Sequence, residues 1–567
     1  MHITPHHRAS LLSAGHRQLG NALRAPCSSR HPAPAPLRAE LREAGYWLFL
    51  SARCAVASFV VCCLVVACGG GTAPAETAAG PSPLGQASGQ AAAQATHPAA
   101  ADSANTPNIA STPNTPSAPA EATVAEADRL FSFNSSGVAE TVSSSGGIDT
   151  TGPFFQSLGS NGRSCQSCHL QDQGWSITPA GVEKIFVRSE GTDPIFRTVD
   201  GANSPRADVS TVDARRAAYS LLLSKGLIRV GIAIPAGAEF ELVAVDDPYG
   251  FASAAELSLF RRPLPTTNLG KLSAVMWDGR ETFKDANSSD CIAGTSTCFA
   301  SIHFDLLHQS NSATQTHAES ATPLSDAQRE AIVAFATSLS TAQVMDFNAG
   351  WLTAEGAQGG PNALAAQAVY FGINDTLAGD YRTHAPFTPK AMTLFDAWAQ
   401  AAGASPEQIA ARQAVARGQA LFNTKSIAIR DVSGLNDDLG VRSLAGTCTT
   451  CHNTPNVGNH SVPLPLAIGV ADAAHRTPDL PLYTLRHKTS GLTVQVSDPG
   501  RALITGKWRD IGRFKGPVLR ALASRAPYFH NGMAADLNAV VEFYDTRFAI
   551  GLNEREKADL VAFLRTL

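Results

Sequence analysis

Cys165-Gln166-Ser167-Cys168-His169 and Cys448-Thr449-Thr450-Cys451-His452 are two copies of one pattern, Cys-x-x-Cys-His. Two residues between the thiols allow both sulfurs to reach one edge of a porphyrin, and the histidine that follows then points under the iron. The spacing predicts two covalently attached haem c groups, with His169 and His452 as iron ligands. The alternative is a Cys-x-x-Cys redox pair or zinc site, but the sequence offers no further Cys-x-x-Cys or His-rich segment that would complete four zinc ligands.

The N-terminal segment predicts export. An apolar run of 13 residues, 55–67, is too short to cross a bilayer and fits a signal peptide. It ends at Val65-Val66-Ala67-Cys68, which resembles a lipoprotein cleavage site, so we expect residues 1–68 to be a signal peptide and Cys68 to carry the lipid. An ordinary cleavage site with an incidental cysteine is the alternative. The expected location is the periplasm, with an outer-membrane lipid anchor as the only membrane contact.

Composition and helix signals predict the domain organisation. Residues 69–125 are rich in Ala, Pro, Ser and Thr and predict a disordered tether. Residues 126–403 and 404–567 each contain one haem motif, and we expect them to be two tandem cytochrome c-type domains, the first with loop-rich insertions. Helical patterns dominate, so the predicted fold class is mainly α. A net charge of −4 gives no reason to expect a nucleic-acid partner.

Local signals place individual elements. Ser325, Ser405 and Asn553 are expected to cap three helices, and Thr388-Pro389 is expected to begin another. A further amphipathic helix is expected over Leu537, Val540, Val541 and Tyr544, and a short one over 126–131. Residues 227–234 and 239–245 are compatible with strands. In an exported chain, Cys291 and Cys298 are expected to form a disulfide, with two free thiols as the alternative.

Three further segments carry a family resemblance. They are Trp277-Asp278-Gly279-Arg280, the stretch from Gly512 to Arg520, and Ala526-Pro527-Tyr528-Phe529-His530-Asn531-Gly532. With the haem motifs in the same order, they resemble the bacterial dihaem cytochrome c peroxidase and MauG superfamily. In that family the N-terminal haem reacts with peroxide, and the C-terminal haem stores or relays electrons.

The resemblance also implies site residues. Trp277 matches the tryptophan that lies between the two haems; a core tryptophan packed on a haem edge is the alternative. Gln309 and Glu319 keep the ten-residue spacing of the family's distal Gln and Glu. A carboxyl in an apolar pocket can move the proton that peroxide chemistry requires, so Glu319 is the predicted acid–base group. A surface glutamate is the alternative, and His317 is the rival base.

The metal ligands distinguish subfamilies. Tyr544 falls where other members place the sixth ligand of the second haem, as in MauG; a core tyrosine is the alternative, and Met533 is the rival ligand. The next histidine after His169 is His303, so no nearby histidine would close the first haem. Family members also bind calcium, partly through an Asn. Arg262 occupies that position here, which leaves calcium uncertain. Arg525 falls near the other calcium-binding segment, although backbone carbonyls could still serve there.

The predicted function is a dihaem peroxidase that reduces hydrogen peroxide, with electrons from a small redox protein, a cytochrome c or cupredoxin. The first alternative is a MauG-like enzyme that oxidises side chains of a protein substrate. The second is a non-catalytic dihaem electron-transfer lipoprotein. The third is an oxygen-activating relative of the dihaem rubber oxygenases.

Overall fold

Among the described residues, eleven strands in four sheets accompany eleven α-helices, so the mainly α fold predicted above is wrong. The computed structural model describes residues 128–401 and 405–567. The strands are β1 (Arg129–Asn134), β2 (Gly137–Ser143), β3 (Ile228–Ile232), β4 (Phe240–Asp246), β5 (Leu257–Arg261), β6 (Leu339–Asp346), β7 (Gly350–Trp351), β8 (Ile427–Arg430), β9 (Ser443–Gly446), β10 (Leu482–His487) and β11 (Thr493–Val496). The helices are α1 (Pro179–Ser189), α2 (Val212–Ala218), α3 (Ser220–Lys225), α4 (Ile302–His317), α5 (Asp326–Ser338), α6 (Gly360–Ala366), α7 (Pro406–Thr424), α8 (Asn436–Leu439), α9 (Ala502–Thr505), α10 (Leu537–Phe548) and α11 (Glu554–Leu564).

The first two strands of the described chain belong to an antiparallel sheet of four strands, in the order β1-β2-β6-β7. Phe131 lies opposite Glu140 and Phe133 lies opposite Val138 in the β1–β2 pair. The helix expected over 126–131 is therefore wrong where the structure describes it, because Arg129–Asn134 is an edge strand.

A second sheet joins segments that are far apart in the sequence. Its order is β11-β10-β4, and Leu482 of β10 lies opposite Asp246 of β4. Phe240, Tyr483 and Leu485 are fully buried beneath it. The two predicted haem domains thus share one sheet, and all described residues belong to one compact unit. The predicted boundary near residue 403 stays a prediction.

Most of the expected helix starts are confirmed. The side chains of Ser325, Ser405 and Asn553 accept hydrogen bonds from backbone N–H groups at the starts of α5, α7 and α11. The helix expected after Thr388 is wrong. Its apolar residues instead lie in loops and a short 3-10 turn, where Met392 and its neighbours are buried against α7 and α11.

The insertion after the Trp277 motif is closed by the predicted disulfide, since Cys291 and Cys298 are bonded. The predicted signal peptide, tether and lipid anchor lie outside the described residues. Within residues 128–401 and 405–567, no helix has the length and apolar character needed to cross a membrane.

Candidate functional site

The two Cys-x-x-Cys-His motifs have the same local structure. Each pair of cysteines lies on a single tight turn, over Cys165–Ser167 and Cys448–Thr450. Ser164 with Ser167, and Thr447 with Thr450, form reciprocal hydrogen bonds between side chains and backbone across these turns. This capping box holds the turn closed, and both cysteines of each motif line one cavity.

The two histidines are also oriented in the same way. The Nδ1 atom of His169 lies 3.1 Å from the carbonyl oxygen of Trp175, and that of His452 lies 2.5 Å from the carbonyl oxygen of Gly458. A donor at Nδ1 fixes the tautomer and leaves Nε2 as the free metal ligand. Burial lowers the pKa of His169 to about 4, so the imidazole stays neutral, which is the form that binds iron.

None of the four motif cysteines forms a disulfide. Burial raises the pKa of the Cys165 thiol to about 11 and that of the Cys448 thiol to about 12, which disfavours the thiolate form that zinc binds. Among the residues that the structure describes, no group of three or more His, Cys, Asp or Glu side chains is arranged to hold a metal ion. The zinc alternative therefore lacks its remaining ligands in this part of the chain.

Each motif borders a large apolar cavity. The first cavity, next to His169, has about 1670 Å³ of empty space including its mouth, and the second, next to His452, has about 1590 Å³. Each cavity is lined mainly by apolar side chains and lies beside a complete attachment motif, which suits a bound porphyrin. Lys515 borders both cavities although it is buried, and burial together with the Arg525 charge lowers its pKa to about 8. Haem propionates would supply negative charge beside this lysine, so the residues fit covalently bound haem c.

The first cavity contains a connected polar group that the sequence motifs did not reveal. His317, the last residue of α4, lines the cavity, and its Nδ1 atom lies 2.6 Å from Oδ2 of Asp200. Arg163 donates to the other carboxylate oxygen of Asp200. Burial raises the pKa of Asp200, but the hydrogen bond with His317 and the Arg163 charge outweigh it and hold that pKa below its usual value.

Of the two predicted distal residues, Gln309 lines the first cavity and Glu319 does not. Gln309 lies on α4 and lines the first cavity. Glu319 is exposed, lies just beyond α4 and outside the cavity lining, and accepts a hydrogen bond from Nδ2 of Asn161 at 3.1 Å. In this position Glu319 does not contact the cavity, and its acid–base role stays a prediction. The rival base, His317, does line the cavity.

Trp277 borders both cavities. Its indole Nε1 donates to the carbonyl oxygen of Arg262 at 2.8 Å, and its own carbonyl accepts from the backbone N–H of Lys515 at 2.9 Å. The adjacent Asp278 is fully buried and accepts from Arg261 at 2.5 Å. Burial raises the pKa of Asp278, but the charges of Arg261 and Arg280 lower it to about 2. The indole is therefore fixed between the two attachment sites.

Several side chains that line the second cavity could serve as a second protein ligand of a haem iron. Tyr544, on α10, is one of its lining residues, and burial raises the pKa of its phenol. Met533 is not among them. Two buried histidines, His460 and His530, also line the cavity, and neither was predicted. The sequence gave no motif for His460, whereas His530 lies in the segment that carried the family resemblance.

Comparisons with known proteins find relatives among cytochrome-c peroxidases. The chain is 31% identical over 171 residues to cytochrome-c peroxidase IdrP1 of Pseudomonas sp. (strain SCT), which is 27% of this chain and 39% of that protein. It is 33% identical over 144 residues to cytochrome c551 peroxidase of Nitrosomonas europaea, which is 24% of this chain and 36% of that protein. The chain is related to the bacterial dihaem cytochrome-c peroxidases. This confirms the resemblance predicted from the motifs.

The similarity is limited in extent. The matched stretch spans less than two fifths of the length of the curated relatives, as it also does for cytochrome-c peroxidase IdrP2 of Denitromonas iodatirespirans, at 36% identity over 136 residues, 22% of this chain and 36% of the relative. No family model matches the chain. A MauG-like protein associated with microbial copper homeostasis aligns over 73% of this chain and 87% of its own, at 16% identity and a TM-score of 0.29. The relatives named as peroxidases are haem oxidoreductases, and haem c is the cofactor that this relationship implies.

Proposed function

We propose that the chain is a dihaem peroxidase that reduces hydrogen peroxide in the first cavity and receives electrons through the second. A haem c in each cavity would supply an iron able to exchange electrons with peroxide or with a donor. The observation that carries the proposal is the position of Trp277, one indole that borders two cavities, each with a complete attachment motif.

His317 is the side chain that we assign to proton transfer in the first cavity. Its Nδ1 atom is engaged by Asp200, so Nε2 is the ring nitrogen available to a molecule in the cavity. From there it can take a proton from one peroxide oxygen and return it to the other, which leaves as water. Each peroxide consumes two electrons and two protons and gives two waters. Gln309 lines the same cavity and can hydrogen-bond to bound peroxide.

Tyr544 is the residue that we propose for the far side of the second haem. It lines the second cavity from α10, whereas Met533 does not. A phenolate is a hard anionic ligand and favours ferric over ferrous iron. Such a site would hold an oxidising equivalent, which an electron donor then removes. We propose a small exported redox protein, a cytochrome c or cupredoxin, as that donor, or oxidisable residues of a protein substrate.

Peroxide-dependent oxidation of a reduced cytochrome c or cupredoxin by the purified holoprotein tests this function. We expect turnover, and we expect His317→Gln to lower its rate by about 10²–10⁴-fold, the usual contribution of acid–base catalysis. Glu319→Gln is the matched control because Glu319 is exposed and outside the cavity.

The outcomes separate the competing functions. Peroxide consumption that requires an added protein substrate, without oxidation of small redox proteins, would point to the MauG-like alternative. An electron-transfer lipoprotein would show no peroxide consumption and two low-spin haems that do not bind cyanide. Equal losses in His317→Gln and Glu319→Gln would contradict the assignment of His317.

A further inference from the structure

The side chain of Arg262 is buried at the position where the family resemblance implies a calcium ion. Arg262 follows directly after β5 and is 5% exposed. Its guanidinium donates to the carbonyl oxygens of Lys225 and Ile177, both at 2.6 Å, and to that of Arg525 at 3.2 Å. These carbonyls come from three separate segments of the chain. Converging backbone carbonyls are the ligands that hard cations such as calcium prefer, and here a side chain supplies the cation.

The surrounding charges exclude an additional metal ion. Within residues 128–401 and 405–567, Arg262 forms an ion pair with no carboxylate. Burial and the charge of the neighbouring, half-buried Arg525 lower the pKa of the Arg262 guanidinium to about 9. A divalent ion placed here would be repelled by the guanidinium, which already occupies the carbonyl oxygens that would bind the ion. The residues present therefore do not fit calcium.

We propose that the guanidinium of Arg262 replaces the calcium ion and makes the link between the two cavities independent of metal. The same residue also positions Trp277, because its carbonyl oxygen accepts from the indole Nε1 at 2.8 Å. Its backbone N–H donates to the carbonyl of His530, a lining residue of the second cavity, at 2.7 Å. Arg262 thus ties Ile177, which follows the first haem motif, to the segment around His530.

The first arm of the test uses the unaltered holoprotein. After dialysis against a chelator we expect no bound calcium by elemental analysis, and the same Tm and peroxidase rate with chelator as with about 1 mM calcium, a concentration that fills even weak sites. Stoichiometric calcium, or a fall in Tm on chelation, would overturn the proposal. Metal content and Tm do not depend on peroxidase activity, so this arm stands or falls separately from the proposed function.

The second arm introduces the side chain that calcium-binding relatives use. Arg262→Asn removes the internal cation, and we expect a lower Tm and a rate reduced by roughly 100-fold, the order of loss that a 1 Å displacement of a catalytic group causes. About 1 mM calcium should bind to this variant and restore most of both losses. Arg262→Met should lose as much and not respond to calcium.

A matched control excludes a general effect of removing a buried arginine. Arg412 is also 5% exposed and donates to a single backbone carbonyl, that of Ala349, at 3.0 Å. Arg412→Asn should lower Tm without any response to calcium. Equal calcium responses of the Arg262 and Arg412 variants would contradict the proposal. If Arg262→Asn does not fold without calcium, its expression in calcium-supplemented medium gives the same readout, since folding should then require the metal.

Discussion

The acid–base assignment can be tested most sharply at Asp200, because Asp200→Asn replaces one carboxylate oxygen by an NH₂ group and forces the His317 tautomer. Both neighbours of the carboxylate are donors, since Arg163 approaches one oxygen and His317 Nδ1 lies 2.6 Å from the other. An amide has one acceptor only, and arginine cannot give up its protons. The amide oxygen therefore turns to Arg163 and the NH₂ group faces His317, so Nδ1 becomes an acceptor and the ring proton moves to Nε2.

A protonated Nε2 cannot accept the proton of peroxide. We expect the peroxidase rate of Asp200→Asn to fall by about 10²–10⁴-fold, the whole acid–base contribution, with haem content unchanged. Steady-state oxidation of a reduced cytochrome c, normalised to folded protein, measures it. Asp559→Asn is the control: Asp559 is a buried carboxylate that pairs with Arg417 at 2.8 Å between α7 and α11. A rate for Asp200→Asn within threefold of the wild-type rate, or a loss no larger than that of the Asp559 control, would refute the tautomer argument.

The same substitution has a pH signature. The pKa of Asp200 is lowered in the folded state, since the hydrogen bond with His317 and the Arg163 charge outweigh burial. Its carboxylate therefore stabilises the fold fully above the unfolded pKa of about 3.9, and this stabilisation is lost as the pH falls through the lower folded pKa. Removing one partner of a buried ion pair costs up to about 3–5 kcal/mol. The difference in unfolding free energy between wild type and Asp200→Asn should accordingly shrink below pH 4 in denaturant titrations.

Three further predictions concern the two attachment sites. Replacing Cys448 and Cys451 together by Ala should remove one covalent haem, which intact mass spectrometry detects as the loss of one haem mass; an unchanged mass would rule out attachment there. Tyr544→Phe should alter the low-spin ferric signal in electron paramagnetic resonance while Met533→Leu does not, and an unchanged signal in the tyrosine variant would transfer the ligand role to one of the cavity histidines. Trp277→Phe should keep both haems and cyanide binding at the first but slow donor oxidation, and an unaffected rate would show that electrons bypass the indole.

The correct helix predictions rest on short-range signals. A capping side chain contacts a backbone N–H only three residues away, as Ser325 and Asn553 do, so the sequence alone determines the interaction. The disulfide between Cys291 and Cys298 is similarly local, with a separation of seven residues. The apolar spacing at Met392, Phe395 and Trp398 resembles a helix, yet each side chain is buried from an irregular segment or short turn. Apolar residues that are buried on one side of a segment can recur at helix-like intervals even when the segment is not a helix.

The sheets were missed because their pairing is long-range. β4 and β10 are each ordinary short strands, but they are more than 200 residues apart, and nothing in either segment specifies the other. β1 is an edge strand with Phe131 and Phe133 exposed, so its apolar residues do not point to a core. Strand stability of this kind comes from cross-strand and tertiary contacts.

The site residues also separate into those that short motifs reveal and those that long-range contacts bring together. The attachment residues and Trp277 lie in contiguous motifs, and motifs are visible in one sequence. Asp200 belongs to no motif, and it acts through His317, 117 positions away. The choice between Glu319 and His317 depended on where α4 ends: the helix stops at His317, which faces the cavity, and Glu319 follows with a backbone φ of 55° on the exposed side.

The buried charges around Trp277 have a positional role more than a stabilising one. Arg261 contacts Asp278 at 2.5 Å and Asp498 at 2.7 Å in a site almost without solvent. Because desolvation offsets most of the Coulomb attraction in such a network, an apolar replacement of the same volume would stabilise the fold as well. Apolar residues could not orient the indole ring in this way. Asp278, the residue after Trp277, is held by its ion pair with Arg261, and the backbone carbonyl oxygen of Arg262 accepts the indole N–H. The charges are best explained by the need to hold one aromatic ring between two cavities.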